Sequence, residues 1–304
     1  MLVFIINYRK SQQTVKLKTK TKFLNFFRNF FRHIFLERLL IYLLSKGFFY
    51  SICFKLVPQN YQYHNATLRR VTRKGLEYEL DISDAVEHYV YFNFRDISQQ
   101  KLFNLCKPDY YIIDIGTNIG SSLLNLARVA GTNGFIYGFE PDPITYNKCL
   151  KNISLNKLRN IMVINEALGE VKMDASLQIN TFNRGMSKIS APTSNNIRIK
   201  INTLDDFIME SKIKKVDLIK IDVEGYELHA LRGAEKTLTR FNPILFIEID
   251  DNYLKEQEAT AKDLLEYINK IGYTAIRASD NVPIDQAYSF AGCHFDIIAF
   301  CVNK

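Results

Sequence analysis

Cysteine is scarce in this 304-residue chain, and the five present (Cys53, Cys106, Cys149, Cys293, Cys301) are scattered. No two form a C-x-x-C pair, and the five histidines are equally dispersed. That spacing argues against a disulfide framework and a structural zinc site. It favours a reducing compartment, so a cytoplasmic protein is expected. Acidic residues are almost missing from the first 75 positions, which hold 15 Lys or Arg and only Glu37 against them. Long apolar runs are missing too. Within the stretch from Phe23 to Leu56, the longest uncharged run before Lys46 is Leu39 to Ser45, far short of the ~20 residues a membrane span needs. A cleavable signal peptide fits poorly, because charge keeps breaking the apolar segment behind the basic region.

What is present supports a sizeable core. The chain is 47% hydrophobic and 24% charged, enough for one or two globular domains. The net charge of +8 hides an asymmetry: after position 75 there are 25 basic and 31 acidic residues. A basic head therefore precedes an acidic body. In the head, Lys recurs at every second position from Lys16 to Lys22, and a Phe-rich stretch follows to Leu56. Two readings fit residues 16–56. In one, helices pack on the body and their Arg and Lys snorkel outward. In the other, a helix lies on an anionic membrane, which would make the protein membrane-peripheral. No reading module for nucleic acid accompanies the basic run, so no sequence-specific nucleic-acid partner is expected.

Three segments are expected: a basic, Phe-rich helical extension over 1–60, strands and a helix over 61–108, and a catalytic domain over 109–304. Residues Ala66 to Ser83 read as two short strands around a Lys74–Gly75 turn. From Pro108 onward the chain alternates strand and helix. Strands are expected at 110–115, 135–139, 161–165, 216–221, 244–249, 273–278 and 294–301. Helices are expected at 119–130, 144–155, 227–238 and 257–271, with Thr203 capping another. Such alternation gives a doubly wound, mostly parallel, Rossmann-like α/β sheet covered on both faces. The polar segment from Met173 to Ile199 breaks the rhythm and reads either as a cover over the acceptor pocket or as a β excursion beside it.

Ligands of such a sheet sit beyond the carboxyl ends of the strands. Gly116 and Gly120 fall there, at the end of "YIIDIGTNIG". Their G-x-x-x-G spacing departs from the dinucleotide fingerprint, which disfavours a pyrophosphate binder and with it an oxidoreductase. Asp114 adds negative charge beside the turn, which suits a cationic or amino-bearing cofactor. Glu140, 24 residues after Gly116, ends the next strand in "YGFEPD", where a carboxylate takes ribose hydroxyls. Adenosine without pyrophosphate, with an amino-acid tail, describes S-adenosylmethionine. The structural alternative is that Glu140 only caps the helix after Pro141.

The stretches "IIDIGTNIG", "GFEPDP", "NEALG", "VDLIKIDVEGYELHALRGA" and "NPILFIEID" resemble the FkbM-type methyltransferases. The resemblance covers Asp109 to Asp250, about half the chain, and leaves the basic head outside. It implies a seven-stranded class I methyltransferase sheet and O-methylation of sugars or small natural products. It also implies that Asp114, Gly116, Asn118 and Gly120 line the methionine end of the cofactor. Thr117 stands where family members often have Ala. Glu140, with Pro141 and Asp142, belongs to the ribose side, and Asn165, Glu166 and Ala167 lie near the adenine.

A second acidic cluster lies in "LIKIDVEGYELHA". Methyl transfer needs an in-line oxygen nucleophile and a group that takes its proton. Asp222 and Glu224 are candidates for holding or deprotonating the acceptor hydroxyl. His229 and His88 are the titratable alternatives, although a histidine in such a place is more often a surface or packing residue. Glu248 and Asp250, at the end of the following strand, are candidates for binding sugar hydroxyls. Hard oxygen donors suit Mg²⁺, but their spacing fixes no site and no metal is expected. The expected acceptor is a hydroxyl of a sugar, glycan or glycolipid. A nucleic-acid methyltransferase and a non-catalytic membrane-surface adaptor are the rivals.

Overall fold

The computed structural model describes residues 19–47, 50–64, 66–180, 184–190, 196–285 and 288–302. Lys16 and Lys18 of the basic repeat lie outside them. The chain divides into two compact units, Met1–Asp96 and Ile97–Lys304.

The first unit contains helices α1 (Thr19–Phe30), α2 (Ile34–Lys46) and α3 (Tyr50–Leu56), strands β1 (Leu68–Arg73) and β2 (Leu76–Asp81), and helix α4 (Ala85–Phe92). β1 and β2 pair antiparallel around Lys74 and Gly75. Both turn residues have positive φ, which gives the twist a two-residue hairpin needs. Asp84 caps α4 by accepting the amides of Val86 and Glu87. Leu40 and Leu44 of α2 are buried, as are Leu76, Tyr78 and Leu80 of β2. Glu37 is buried as well. It accepts two hydrogen bonds from Arg69, at 2.9 and 3.1 Å, and one from the Tyr91 hydroxyl at 2.8 Å. The one acidic residue of the first 75 is thus neutralised inside its own unit.

The second unit begins with α5 (Ile97–Leu105), β3 (Tyr111–Ile115), α6 (Ser121–Ala130), β4 (Phe135–Phe139), α7 (Pro143–Ser154) and β5 (Ile161–Ile164). β6 (Ala167–Leu168), β7 (Met173–Gln178), β8 (Lys188–Ser190) and β9 (Ile197–Asn202) follow, then α8 (Leu204–Glu210). The chain then forms β10 (Leu218–Ile221), α9 (Glu227–Arg232), α10 (Glu235–Phe241) and β11 (Ile244–Asp250). It ends with α11 (Asp251–Glu256), α12 (Ala261–Lys270), β12 (Tyr273–Arg277), β13 (Pro283–Ile284) and β14 (His294–Cys301).

The main sheet runs β13-β12-β14-β11-β10-β3-β4-β5. From β11 to β5 the neighbours are parallel, while β14 is antiparallel to both β11 and β12. The sheet is therefore mixed and, among the described residues, has eight strands, not the seven expected. The addition is the two-residue β13, too short to show a strand period, which pairs antiparallel with β12. Alternation along the strands divides the core. Ile112, Leu218 and Phe246 face the α5 and α6 side with Leu102 and Leu123, while Ile113, Ile219 and Leu245 face the side of Leu231 and Leu264. The excursion after β5 closes into its own four-stranded sheet, β6-β9-β7-β8.

Two expected helices differ in the structure: one is split and one starts later. The 227–238 helix breaks at Gly233, where an added Cβ would lie 1.9 Å from the Gly169 carbonyl oxygen. The chain passes too close there for a continued helix with side chains. The 257–271 helix is preceded by α11, capped by Asp250, and α12 starts afresh from a Thr260–Asp263 capping box.

Candidate functional site

The loops after β3, β4, β5 and β10 leave the sheet at the same edge, the carboxyl ends of parallel strands. Gly116 begins the first loop with φ +82, and an added Cβ there would lie 1.9 Å from the Asp222 carbonyl oxygen. Only glycine allows the loops after β3 and β10 to approach so closely. Asn118 is also left-handed, and its side chain accepts the Ile119 amide at 2.7 Å. Gly120 opens α6.

Glu140 links this loop to the next. One of its oxygens accepts the Asn118 amide at 2.9 Å and the other accepts the Asp142 amide at 3.0 Å. Burial pushes its carboxyl up to about 7, against the pull of those two amides. Asp142 caps α7 and accepts a two-pronged bond from Arg184 at 2.6 and 2.7 Å. Burial opposes its charge, yet the Arg184 and Thr145 hydrogen bonds outweigh it and hold the carboxyl below its ordinary range. Pro141 is half-buried. The Asn165 side chain donates to the carbonyls of Glu140 and Pro141, at 2.8 and 3.1 Å. Glu166 accepts from Asn202 at 3.3 Å, and Ala167 is buried in β6. The Thr117 hydroxyl is buried and donates to the Asp114 carbonyl at 3.1 Å. Thr117 and Asp142 thus commit their side chains inside the fold.

Beneath the loop, Asp114 is fully buried. Lys220 Nζ lies 3.2 Å from its Oδ1, 3.4 Å from Asp222 Oδ2, and donates to the Gly116 carbonyl at 3.0 Å. Burial works against the charge on Lys220, but Asp114 and Asp222 overcome it and raise its pKa. Lys220 is a site residue not anticipated from the sequence. Its signal was a lysine inside an apolar strand, two residues before Asp222.

Beside it, carboxylate oxygens of Asp222, Glu224 and Glu248 converge within 4.8 Å of one another. A group of acids does not by itself define an ion site. Glu224 adopts a left-handed backbone, φ 54, that turns the loop. Burial, then the charges of Asp222 and Glu224, push the Glu248 carboxyl well above its ordinary range. Asp250 uses one oxygen to cap α11 and the other to face His294 Nδ1 at 2.8 Å. His294, another residue not anticipated, also lies with Nε2 3.3 Å from Glu248 Oε1.

The two anticipated histidines make other contacts. His229 stacks on Tyr226, and its Nε2 lies 3.1 Å from the Gln257 carbonyl oxygen. Its Nδ1 is 3.7 Å from Glu170. His88 belongs to the first unit, where it is 2% exposed. Its Nε2 lies 2.8 Å from the Pro58 carbonyl oxygen and its ring packs on Phe92. Burial pulls its pKa down to about 4. An imidazole enclosed in this way, donating to a backbone carbonyl, has the contacts of a packing residue.

Residues 114–275, more than half the chain, match the methyltransferase FkbM domain. Three relatives are similar. Methyltransferase 1 of Beauveria bassiana is 27% identical over 234 residues, covering 69% of this chain and 91% of the relative. The 2-O-methyltransferase NoeI of Sinorhizobium fredii is 26% identical over 187 residues, 57% of this chain and 76% of NoeI. The hexuronic acid methyltransferase AglP of Haloferax volcanii is 26% identical over 145 residues, 47% of this chain and 58% of AglP. The chain belongs to the FkbM-type family and is an S-adenosylmethionine-dependent methyltransferase.

Proposed function

We propose that this chain transfers a methyl group from S-adenosylmethionine to a hydroxyl of a sugar, glycan or glycolipid. The observation that carries the reading is the convergence of Asp222, Glu224 and Glu248 next to the Gly116 loop. Clustered carboxylates are good acceptors for the several hydroxyls of a sugar. The names of NoeI and AglP, a 2-O-methyltransferase and a hexuronic acid methyltransferase, support the same acceptor class.

The crevice residues suit the cofactor. Each Glu140 oxygen accepts one backbone N–H and keeps a second lone pair, which a ribose hydroxyl would use. The buried charge of Asp114 and the backbone of Gly116, Thr117, Asn118 and Gly120 would form the methionine end. Asn165, Glu166 and Ala167 would edge the adenine, and Pro141 and Asp142 would shape the rim. When bound, the cofactor supplies an electrophilic methyl on a sulfonium. Asp222 and Glu224 would orient the acceptor oxygen in line with it.

The first unit supports a second reading, contact with an anionic membrane. Phe23, Phe26, Phe30 and Phe35 are 67, 60, 58 and 82% exposed. Lys22, Arg38 and Lys46 are exposed on the same helices, and Glu37 is closed off by Arg69. Among the described residues no helix is long and apolar enough to cross a membrane. Exposed phenylalanines with basic neighbours suit the interfacial mode, which would bring the enzyme to a lipid-linked acceptor.

Incubating the protein with methyl-labelled cofactor and separated cell fractions tests the acceptor. Label in sugars of the glycan or lipid fraction is expected. Label confined to nucleic acid or protein would overturn the reading. Asp222→Asn and Glu224→Gln should each lower turnover about tenfold or more, with cofactor affinity within a few-fold. Added chelator should leave the rate unchanged.

A further inference from the structure

Glu248 has a partner that the acceptor reading leaves idle. His294 opens β14 and stands opposite Asp250 in the antiparallel ladder, so the last strand starts where β11 ends. Its imidazole lies between two carboxylates, Asp250 Oδ2 at 2.8 Å and Glu248 Oε1 at 3.3 Å, and its side chain is 10% exposed. Asp250 is fixed from behind, because its other oxygen accepts the Asn252 and Tyr253 amides at the start of α11. A carboxylate held as an acceptor assigns the Nδ1 proton to His294, which turns Nε2 toward Glu248.

An isolated carboxylate is a weak base for an alcohol. A histidine backed by carboxylates is a better store for a proton near neutral pH. We propose that His294, oriented by Asp250, is a positioning residue that shares a proton with Glu248 and enables the pair to take up the acceptor hydroxyl proton. The proposal rests on the methyl-transfer reading and deepens it. The acceptor oxygen forms the new C–O bond while the C–S bond breaks, its electron pair staying on sulfur. The hydroxyl proton passes to Glu248, and the proton the pair already shared stays on His294 Nε2. The positive charge lost from the sulfonium reappears on the imidazolium.

The surroundings favour that charge. Asp222 and Glu224 face the pair from the loop after β10, Asp251 stands at the start of α11, and Asp296 pairs with Glu248 across the ladder. Of the cations among these elements, Lys220 is engaged by Asp114 and Asp222, and Lys255 by Asp251. Burial pushes the Cys293 thiol up to about 11, so it stays neutral. Burial and the neighbouring acids also raise the Glu248 carboxyl.

The test uses the full-length protein. Asn at position 294 can keep a donor toward Asp250, whereas Gln can keep a polar atom near the Nε2 position, and neither stores a proton. His294→Asn and His294→Gln should each lower single-turnover transfer to the labelled glycan fraction at least tenfold and change the pH–rate profile. Melting temperature and cofactor affinity by calorimetry should hold for at least one of them. In wild-type protein with ¹⁵N-labelled histidine, the ring shifts should report a protonated Nδ1 on His294. Full activity with an unchanged pH profile in either folded variant would overturn the proposal, as would a ring protonated on Nε2 alone. If the wild type methylates no sugar, the acceptor reading fails, while the ring shifts still decide the orientation of His294.

Discussion

Asp114 and Lys220 are direct cross-strand neighbours on β3 and β10, and Lys220 Nζ lies 3.2 Å from Asp114 Oδ1 with both residues buried. The pair ties the strand under the Gly116 loop to the strand that leads into the Asp222, Glu224 and Glu248 cluster. Removing one partner strands a charge in the core, a loss of about 3–5 kcal/mol. Lys220→Met alone should therefore lower unfolding free energy by that order. Adding Asp114→Asn should recover much of the loss, because no buried charge remains. Cofactor affinity should not recover, since the double variant lacks the carboxylate proposed for the methionine end. Denaturant unfolding and calorimetry on the three variants separate the effects. Equal losses in single and double variants would mean that the pair is not coupled.

Glu140 has a structural role and a proposed binding role, which a pair of substitutions separates. Its oxygens hold the Asn118 and Asp142 amides, and they are the ones proposed to take the ribose hydroxyls. Glu140→Ala should weaken cofactor binding by about 1.5–3 kcal/mol and should also lower the melting temperature, because it leaves two amides unpaired. Glu140→Gln keeps an oxygen for one amide and should lose less stability. Cofactor affinity unchanged in both variants would leave Glu140 as a purely structural link.

Much of this was legible in the sequence because it is local. The β3 and β4 strands, their glycine turn and Glu140 follow from runs of apolar residues that end in small or acidic ones. The capping roles of Thr203 and Asp142 are equally short-range, although only Thr203 was assigned one. What escaped depends on distant chain segments. Nothing near His294 says that β14 lies antiparallel to β11, so its place between Glu248 and Asp250 could be reached only through the topology of the whole sheet. Gly233 reads as a tolerated helix glycine until Gly169 is known to cross it. Lys220 looked like a polar interruption of a strand, and its meaning lay in Asp114, more than a hundred residues earlier.

Glu227 gives stability a pH dependence whose sign is fixed. It is buried at the start of α9, where one oxygen accepts the Val223 and Gly225 amides and the other is unpartnered. Burial pushes its carboxyl up to about 7 from an ordinary value of 4.5. The native state then holds this proton better than the unfolded chain. Its stabilising contribution is present below 4.5 and is lost as pH rises through 7. Glu227→Gln abolishes that titration. Relative to wild type, the variant should gain roughly 1–3 kcal/mol between acidic and alkaline conditions. Glu140 titrates in the same direction and His88 in the opposite one, but both are present in either protein, so the difference isolates Glu227. Unfolding curves for the two proteins across this range decide it, and a gap that does not vary with pH would count against a buried, proton-holding Glu227.

The first unit bears on the acceptor class. Cutting residues 1–60 would leave Arg69 and Tyr91 without Glu37, so a truncation would confound folding with membrane contact. Surface substitution avoids that problem, because Phe23, Phe26, Phe30 and Phe35 all project into solvent. Full-length protein should co-sediment with anionic vesicles more than with neutral ones, and the difference should shrink as salt rises. Burying one Phe side chain fully is worth about 1.5–3 kcal/mol, so even partial insertion of four should dominate binding. Replacing all four by Ser should then weaken vesicle binding at least tenfold, with cofactor affinity and melting temperature nearly unchanged. Loss of binding in that variant would place a lipid-linked acceptor ahead of a soluble sugar. If folded wild-type protein binds neither vesicle type, the exposed phenylalanines serve some other contact and the membrane reading fails.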